Sequence, residues 1–137
     1  MLRPMILVAG LLGATAATAQ QSPSAEDPQV AYNNNCRQCH STDEGDNRLG
    51  PNLYQVVGRE AGTAEGYRYS SALESAGFTW DEEQLDSWIT NPDNVVSGHK
   101  MRPYPGIDEE PLRAAIIEHL KATGTSGGGS EGSGSES

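Results

Sequence analysis

Both cysteines of this chain fall in one pentapeptide, Cys36-Arg37-Gln38-Cys39-His40, and no other feature limits the possible folds as much. Four readings compete for it. A redox C-x-x-C of the thioredoxin type needs a strand–helix–strand setting, and no segment here alternates convincingly as a strand. A zinc site needs two further ligands; only His99 and His119 could join, both remote and without a second paired motif. A plain disulfide gives His40 no role, and two cysteines are too few for a disulfide framework. The fourth reading uses all three residues. C-x-x-C-H is the attachment signature of c-type haem. Two thiols three residues apart near a helix end lie on one side and match the two vinyl groups of a porphyrin. The next residue then offers its imidazole to the iron. One covalent haem c is therefore expected, held through Cys36 and Cys39, with His40 as an axial ligand.

The rest of the chain suits a fold built around something it holds. It has one Phe, two Trp and three Met in 137 residues, and a mean hydropathy of −0.58. That is little bulky apolar material for a small domain, and such domains usually need a staple. The length fits one domain. The formal charge of −10 argues against a nucleic-acid binder, since nothing here could neutralise a run of phosphates. It also disfavours adhesion to anionic lipid. A charge-guided protein partner should present a basic face.

Residues 1–19 read as a cleavable signal peptide. Arg3 gives a basic start, Met5 to Leu12 an apolar run, and Ala17-Thr18-Ala19 an A-x-A site. The run is short for a membrane span and a polar segment follows at once. Removing it takes one cation and leaves a charge of −11. Export to the periplasm, with no integral membrane segment left after cleavage, is the expectation. Residues 20–28 form an N-terminal extension and residues 29–123 the folded domain. Residues 124–137, almost only Gly, Ser, Thr and Glu, form a flexible acidic tail with nothing apolar to bury.

Between those ends the pattern is helical. A first helix is expected from about Asp27 to Arg37. A turn-rich stretch from Ser41 to Tyr69 follows, long for a compact domain unless something organises it. Ser71-x-x-Glu74 and Thr79-x-x-Glu82 read as capping boxes opening two helices, the second ended by Asn91-Pro92. Leu85, Trp88 and Ile89 share one face of that second helix. A last helix runs from about Asp108 to Ala122, with Pro111 in its first turn and Gly124 as its stop. Leu112, Ala115, Ile116, His119 and Leu120 mark its buried stripe.

With Met1 and Met5 lost with the leader, Met101 is the sole methionine of the mature chain. A thioether there would complete the iron and raise its potential. A lone Met can simply fill a core gap, but Met101 sits in the polar run Gly98-His99-Lys100-Met101-Arg102-Pro103. His99, two residues away, is the competing sixth ligand. His119 lies on an apolar stripe and reads as a packed histidine.

These motifs, taken in order, resemble class I cytochromes c, in the mitochondrial and bacterial c2-like branch. The resemblance covers about Pro28 to Thr123. It rests on Cys36-x-x-Cys39-His40, Gly50-Pro51-Asn52-Leu53, Gly58-Arg59, Gly66-Tyr67-Arg68-Tyr69, Trp80, Asn91-Pro92 and Lys100-Met101. It implies an all-α fold of three to five helices and long loops wrapped around one covalent haem. It implies that the Pro51 carbonyl accepts the Nδ1 hydrogen of His40. It also implies that Arg59, Tyr69 and Trp80 contact a haem propionate, and that Trp88 lies beside the methionine. Tyr32 and Ile116 match the positions where the first and last helices cross. The chain departs from the family at Pro28, where a glycine usually lets the last helix approach closely, so a looser crossing is implied. It departs at His99, where a threonine is usual, and by one extra residue within Arg102–Gly106. It also lacks a lysine ring, since the mature chain has only Lys100 and Lys121.

The implied function is a diffusible, monomeric one-electron carrier between larger redox proteins, not an enzyme, through a six-coordinate His40/Met101 haem. The edge near Cys36 and Cys39 is the expected transfer point. The alternatives are a haem enzyme or gas sensor with a displaceable sixth ligand, and a non-haem structural or metal-binding module.

Overall fold

The computed structural model describes residues 27–123. The expected leader, most of the extension, the acidic tail and the stop at Gly124 lie outside the described residues. Four α-helices and one 3-10 turn carry the fold: α1 (Pro28–Asn35), α2 (Ser71–Glu74), α3 (Glu82–Thr90), the 3-10 turn Pro92–Asn94, and α4 (Glu110–Ala122). Among the described residues the only strand-like pairing is one bridge, Glu60 to Thr79. No helix among them is long and apolar enough to cross a membrane.

α1 starts where its cap dictates. The Asp27 carboxylate accepts the N–H groups of Gln29 and Val30, at 3.0 and 3.1 Å. Pro28, first in the helix, has no N–H to lose there. Three consecutive asparagines, Asn33 to Asn35, are poor helix formers and close it. The helix therefore stops two residues short of the expected Arg37, and the cysteine pentapeptide lies on the turn that follows. Cys36 N–H donates to Tyr32 O at 2.8 Å, and the amides of Cys39 and His40 both fold back onto Cys36 O.

α1 packs across α4. Ala31 and Ile116 are fully buried, and Tyr32 nearly so. Pro28 stays at the half-buried start of the helix. The small residue buried on this helix is Ala31, one turn on, so the crossing does not depend on a glycine at position 28. His119 stacks on Tyr32 with ring centroids 4.7 Å apart, the packed histidine expected from its stripe.

The two capping boxes are each misplaced in the sequence reading. α2 is capped by Ser70, whose Oγ accepts Leu73 N–H at 3.2 Å. α3 is capped by Asp81, whose carboxylate accepts Gln84 N–H at 2.7 Å. In both cases another oxygen-bearing side chain lies near Ser71 or Thr79, and backbone conformation selects between them. Thr79 is instead in the bridge to Glu60, and its neighbours continue the pairing: Gly58 N–H to Trp80 O, Trp80 N–H to Arg59 O, Ala61 N–H to Phe78 O. α3 ends at Asn91-Pro92 as expected. α4 starts at Glu110, two residues later than expected, with Pro111 in its first turn. Its buried residues include Ile117, off the expected stripe. α4 meets both α1 and α3, so two sides of it need apolar cover. Arg113 links α4 to α3 through Asp86 at 2.7 Å and satisfies the carbonyls of Ile107 and Asp108.

The stretch from Ser41 to Tyr69 has no helix. It is held by turns, side-chain bonds and the backbone pairing of residues 58–61 with 78–80. Asn47 is the hub: its Oδ1 accepts both N–H and Nδ2 of Asn52, while its Nδ2 donates to Glu65 O at 2.8 Å.

Candidate haem site

One cavity of about 360 Å³ occupies the centre of the fold, within the range of small-molecule and cofactor sites. All nine residues singled out from the sequence line it: Cys36, Cys39, His40, Pro51, Arg59, Tyr69, Trp80, Trp88 and Met101. They come from distant stretches of chain, which only the folded structure brings together. His99 lines the same cavity, and His119 does not.

His40 is buried and anchored. Its Nδ1 donates to Pro51 O at 2.8 Å, the bond expected from the resemblance. That bond assigns the ring hydrogen to Nδ1 and leaves Nε2 as the nitrogen able to bind a metal. Burial lowers the His40 pKa, opposed by the Pro51 bond, and Arg59 lowers it further. The neutral imidazole a metal requires is thus favoured. Gly50 packs directly against this ring, and a methyl there would stand 2.6 Å from Nδ1. Glycine at that position is a requirement of close approach.

Cys36 and Cys39 are not bonded to each other. Burial, reinforced by Cys39, pushes the Cys36 thiol up to about 12. A reactive redox C-x-x-C needs the opposite shift, toward a stable thiolate. No three His, Cys, Asp or Glu side chains gather around a metal position among the described residues.

Also on the cavity wall, Trp88 Nε1–H donates to Met101 Sδ at 3.1 Å. Trp88 reaches it from the apolar face of α3, edge-on to Trp80 at 5.2 Å. The aromatic expected beside the methionine is therefore also a donor to its sulfur.

The polar end of the cavity fits an anion. Arg59 gives Nη1 to Asn52 Oδ1 and Tyr54 O, and Nη2 to Asn52 O, but its buried Nε has no partner. Tyr69 accepts Ala64 N–H at 3.0 Å, which leaves its own hydroxyl proton to donate. An apolar slot with an unsatisfied guanidinium, a free imidazole nitrogen and a thioether is what a porphyrin with carboxylate arms needs. The residues present fit haem.

Other residues were missed by sequence reasoning. Tyr104 lines the cavity and donates to Ile89 O at 2.6 Å, pinning the methionine loop to α3. Tyr67 donates to Leu49 O at 3.1 Å, across the opening. Leu49 itself is 79% exposed on the rim. An aromatic in a Pro/Gly-rich loop was the available signal for Tyr104; Leu49 carried none. No Asp or Glu lines the cavity, while Arg59, Lys100 and Arg102 do.

The Cytochrome c family model matches residues 25–123. The chain is 38% identical over 117 residues to cytochrome c-554 of Methylosinus trichosporium, covering 83% of this chain and 88% of that one. It is 39% identical over 87 residues to cytochrome c2 iso-2 of Magnetospirillum fulvum, covering 64% of this chain and 90% of that one. Among solved structures it is similar to cytochrome cH from Methylobacterium extorquens. There the TM-score is 0.63 and the identity 38%, over 69% of this chain and 94% of that one.

Proposed function

Because the chain belongs to the class I cytochromes c, small all-α electron-transfer proteins with covalent haem c, we propose that it is a periplasmic one-electron carrier with His40 and Met101 as axial ligands. Cys36 and Cys39 are the proposed thioether attachments. The bound haem supplies the one-electron couple. The chain's residues supply position, polarity and exclusion of competing ligands. Pro51 orients His40 and raises its basicity. Trp88 holds the Met101 sulfur. Arg59, with Tyr69 and Trp80, meets the propionates. The domain proposal is a signal peptide over 1–19, an extension over 20–28, the cytochrome domain over 29–123 and the acidic tail over 124–137.

The observation that carries this reading is a single cavity reached by both His40 and Met101, each already committed to a partner that orients it. With an imidazole and a thioether both on the metal, no position remains for a substrate. That favours electron transfer over catalysis. Carbon monoxide added to the reduced holoprotein at neutral pH is expected to leave its spectrum unchanged. Immediate stoichiometric binding would instead fit a haem enzyme or gas sensor.

The carrier is proposed to act as a monomer, meeting redox partners that present a basic face. The charge of −11 left after removal of residues 1–19 acts at long range, because the cavity lining contributes no carboxylate. Salt screens such attraction, with a Debye length of about 10 Å at 0.1 M. Electron transfer to a basic partner should therefore slow as ionic strength rises. A rate that stays constant would reject steering and leave the carrier role intact.

A further inference from the structure

His99 occupies a position where the resemblance implies threonine, two residues before Met101. Its surroundings are specific. Met101 N–H donates to His99 Nδ1 at 3.1 Å. That bond uses the Nδ1 lone pair and puts the ring hydrogen on Nε2. Nε2 is buried and lies 3.2 Å from Asp93 Oδ1, without the alignment of a full hydrogen bond. The ring also stands edge-on to Trp88, with centroids 5.3 Å apart. In this arrangement neither nitrogen keeps a lone pair for a metal.

Asp93 binds on both sides of the methionine. Besides His99, it takes Arg102 Nη2 at 3.1 and 3.3 Å. Asp93 is itself set by the 3-10 turn, where its N–H donates to Asn91 Oδ1. His99, two residues before Met101, and Arg102, the residue after it, thus both meet one carboxylate on the 3-10 turn. The Arg102 pair is exposed and contributes little. The His99 side is buried, so its contact with the carboxylate is screened much less than the exposed Arg102 pair.

We propose that His99 is the positioning residue of Met101: its imidazole braces the Met101 amide against Asp93 and so keeps the thioether aimed into the cavity. The inference rests on Met101 being the axial thioether. It replaces the reading of His99 as a competing ligand with one in which it holds the true ligand in place. Bracing reduces the fraction of molecules in which the sulfur has swung away, and that fraction sets how well an outside ligand competes.

The test uses oxidised holoprotein, azide as the competing ligand, and the red sulfur-to-iron charge-transfer band. His99→Leu keeps bulk and removes the acceptor. It should bind azide about tenfold more tightly and show a weakened red band. His99→Asn restores an acceptor in the i to i+2 geometry of an Asx turn, so its azide affinity should return to within about threefold of the parent. Asp93→Ala, at an exposed site that leaves the core intact, should tighten azide binding by about threefold. The proposal is overturned if the Leu variant matches the parent. It is overturned equally if Asn behaves as Leu does, which would make the role one of packing, or if Asp93→Ala changes nothing. A parent with no red band, whose iron becomes high-spin in His99→Leu and not in Met101→Ala, would mean that the axial assignment itself fails.

Discussion

A chain with serine at both Cys36 and Cys39 is expected to emerge without covalent haem and without its native fold. The magnitude follows from the cavity. At about 24 cal/mol per Å³ of unfilled volume, about 360 Å³ corresponds to about 9 kcal/mol. Net stabilities of small domains are only about 5–15 kcal/mol. The residues left facing the void are those the core depends on: Tyr69, Trp80, Leu85, Ile89, Ile116 and Leu120 are buried and line it. The segment from Ser41 to Tyr69 has only turns, side-chain bonds and the short pairing of residues 58–61 with 78–80 to fall back on. Haem staining of a denaturing gel should be negative, and far-ultraviolet circular dichroism should show most of the helix lost. A compact double variant that melts cooperatively would show that the protein part suffices.

The second large effect is at Met101. In Met101→Ala, the red charge-transfer band should vanish and the potential should fall, because the thioether that favours the reduced state is gone. The reduced variant should bind carbon monoxide at once. Azide affinity of the oxidised form should rise on the order of a hundredfold or more, since no internal ligand competes. The substitution also strands the Trp88 Nε1–H, which donates to this sulfur. Losing this part-buried bond costs about 0.5–1.5 kcal/mol, so the thermal midpoint should drop as well. An unchanged red band in Met101→Ala would remove the thioether from the iron.

The candidate chemistry was legible because it is local. Cys36, Cys39 and His40 are fixed by a five-residue spacing, and Met101 by being the sole methionine outside the expected leader. The helical segments were legible too, through proline and asparagine at their ends and apolar spacing along α3 and α4. Cap positions were not. Ser70 against Ser71, and Asp81 against Thr79, differ by backbone conformation, and the capping-box pattern pointed to Ser71 and Thr79 while single side-chain caps formed at Ser70 and Asp81. Ile117 was missed because a single-stripe reading assumes one packed face, and α4 is covered by both α1 and α3.

What the sequence determined by itself was the set of candidate haem-binding groups, since side-chain chemistry and spacing are read from a few residues. It also determined the acidic net charge and the need for an added core. The tertiary structure alone decided how those groups are aimed. The His40 tautomer comes from a carbonyl eleven residues away, the Met101 sulfur is held from α3, and His99 has its Nδ1 on the Met101 amide and its Nε2 facing the Asp93 carboxylate. It decided, too, that the carboxylates stay off the cavity wall. Orientation depends on several groups meeting in space at once, and no spacing along a chain encodes that meeting.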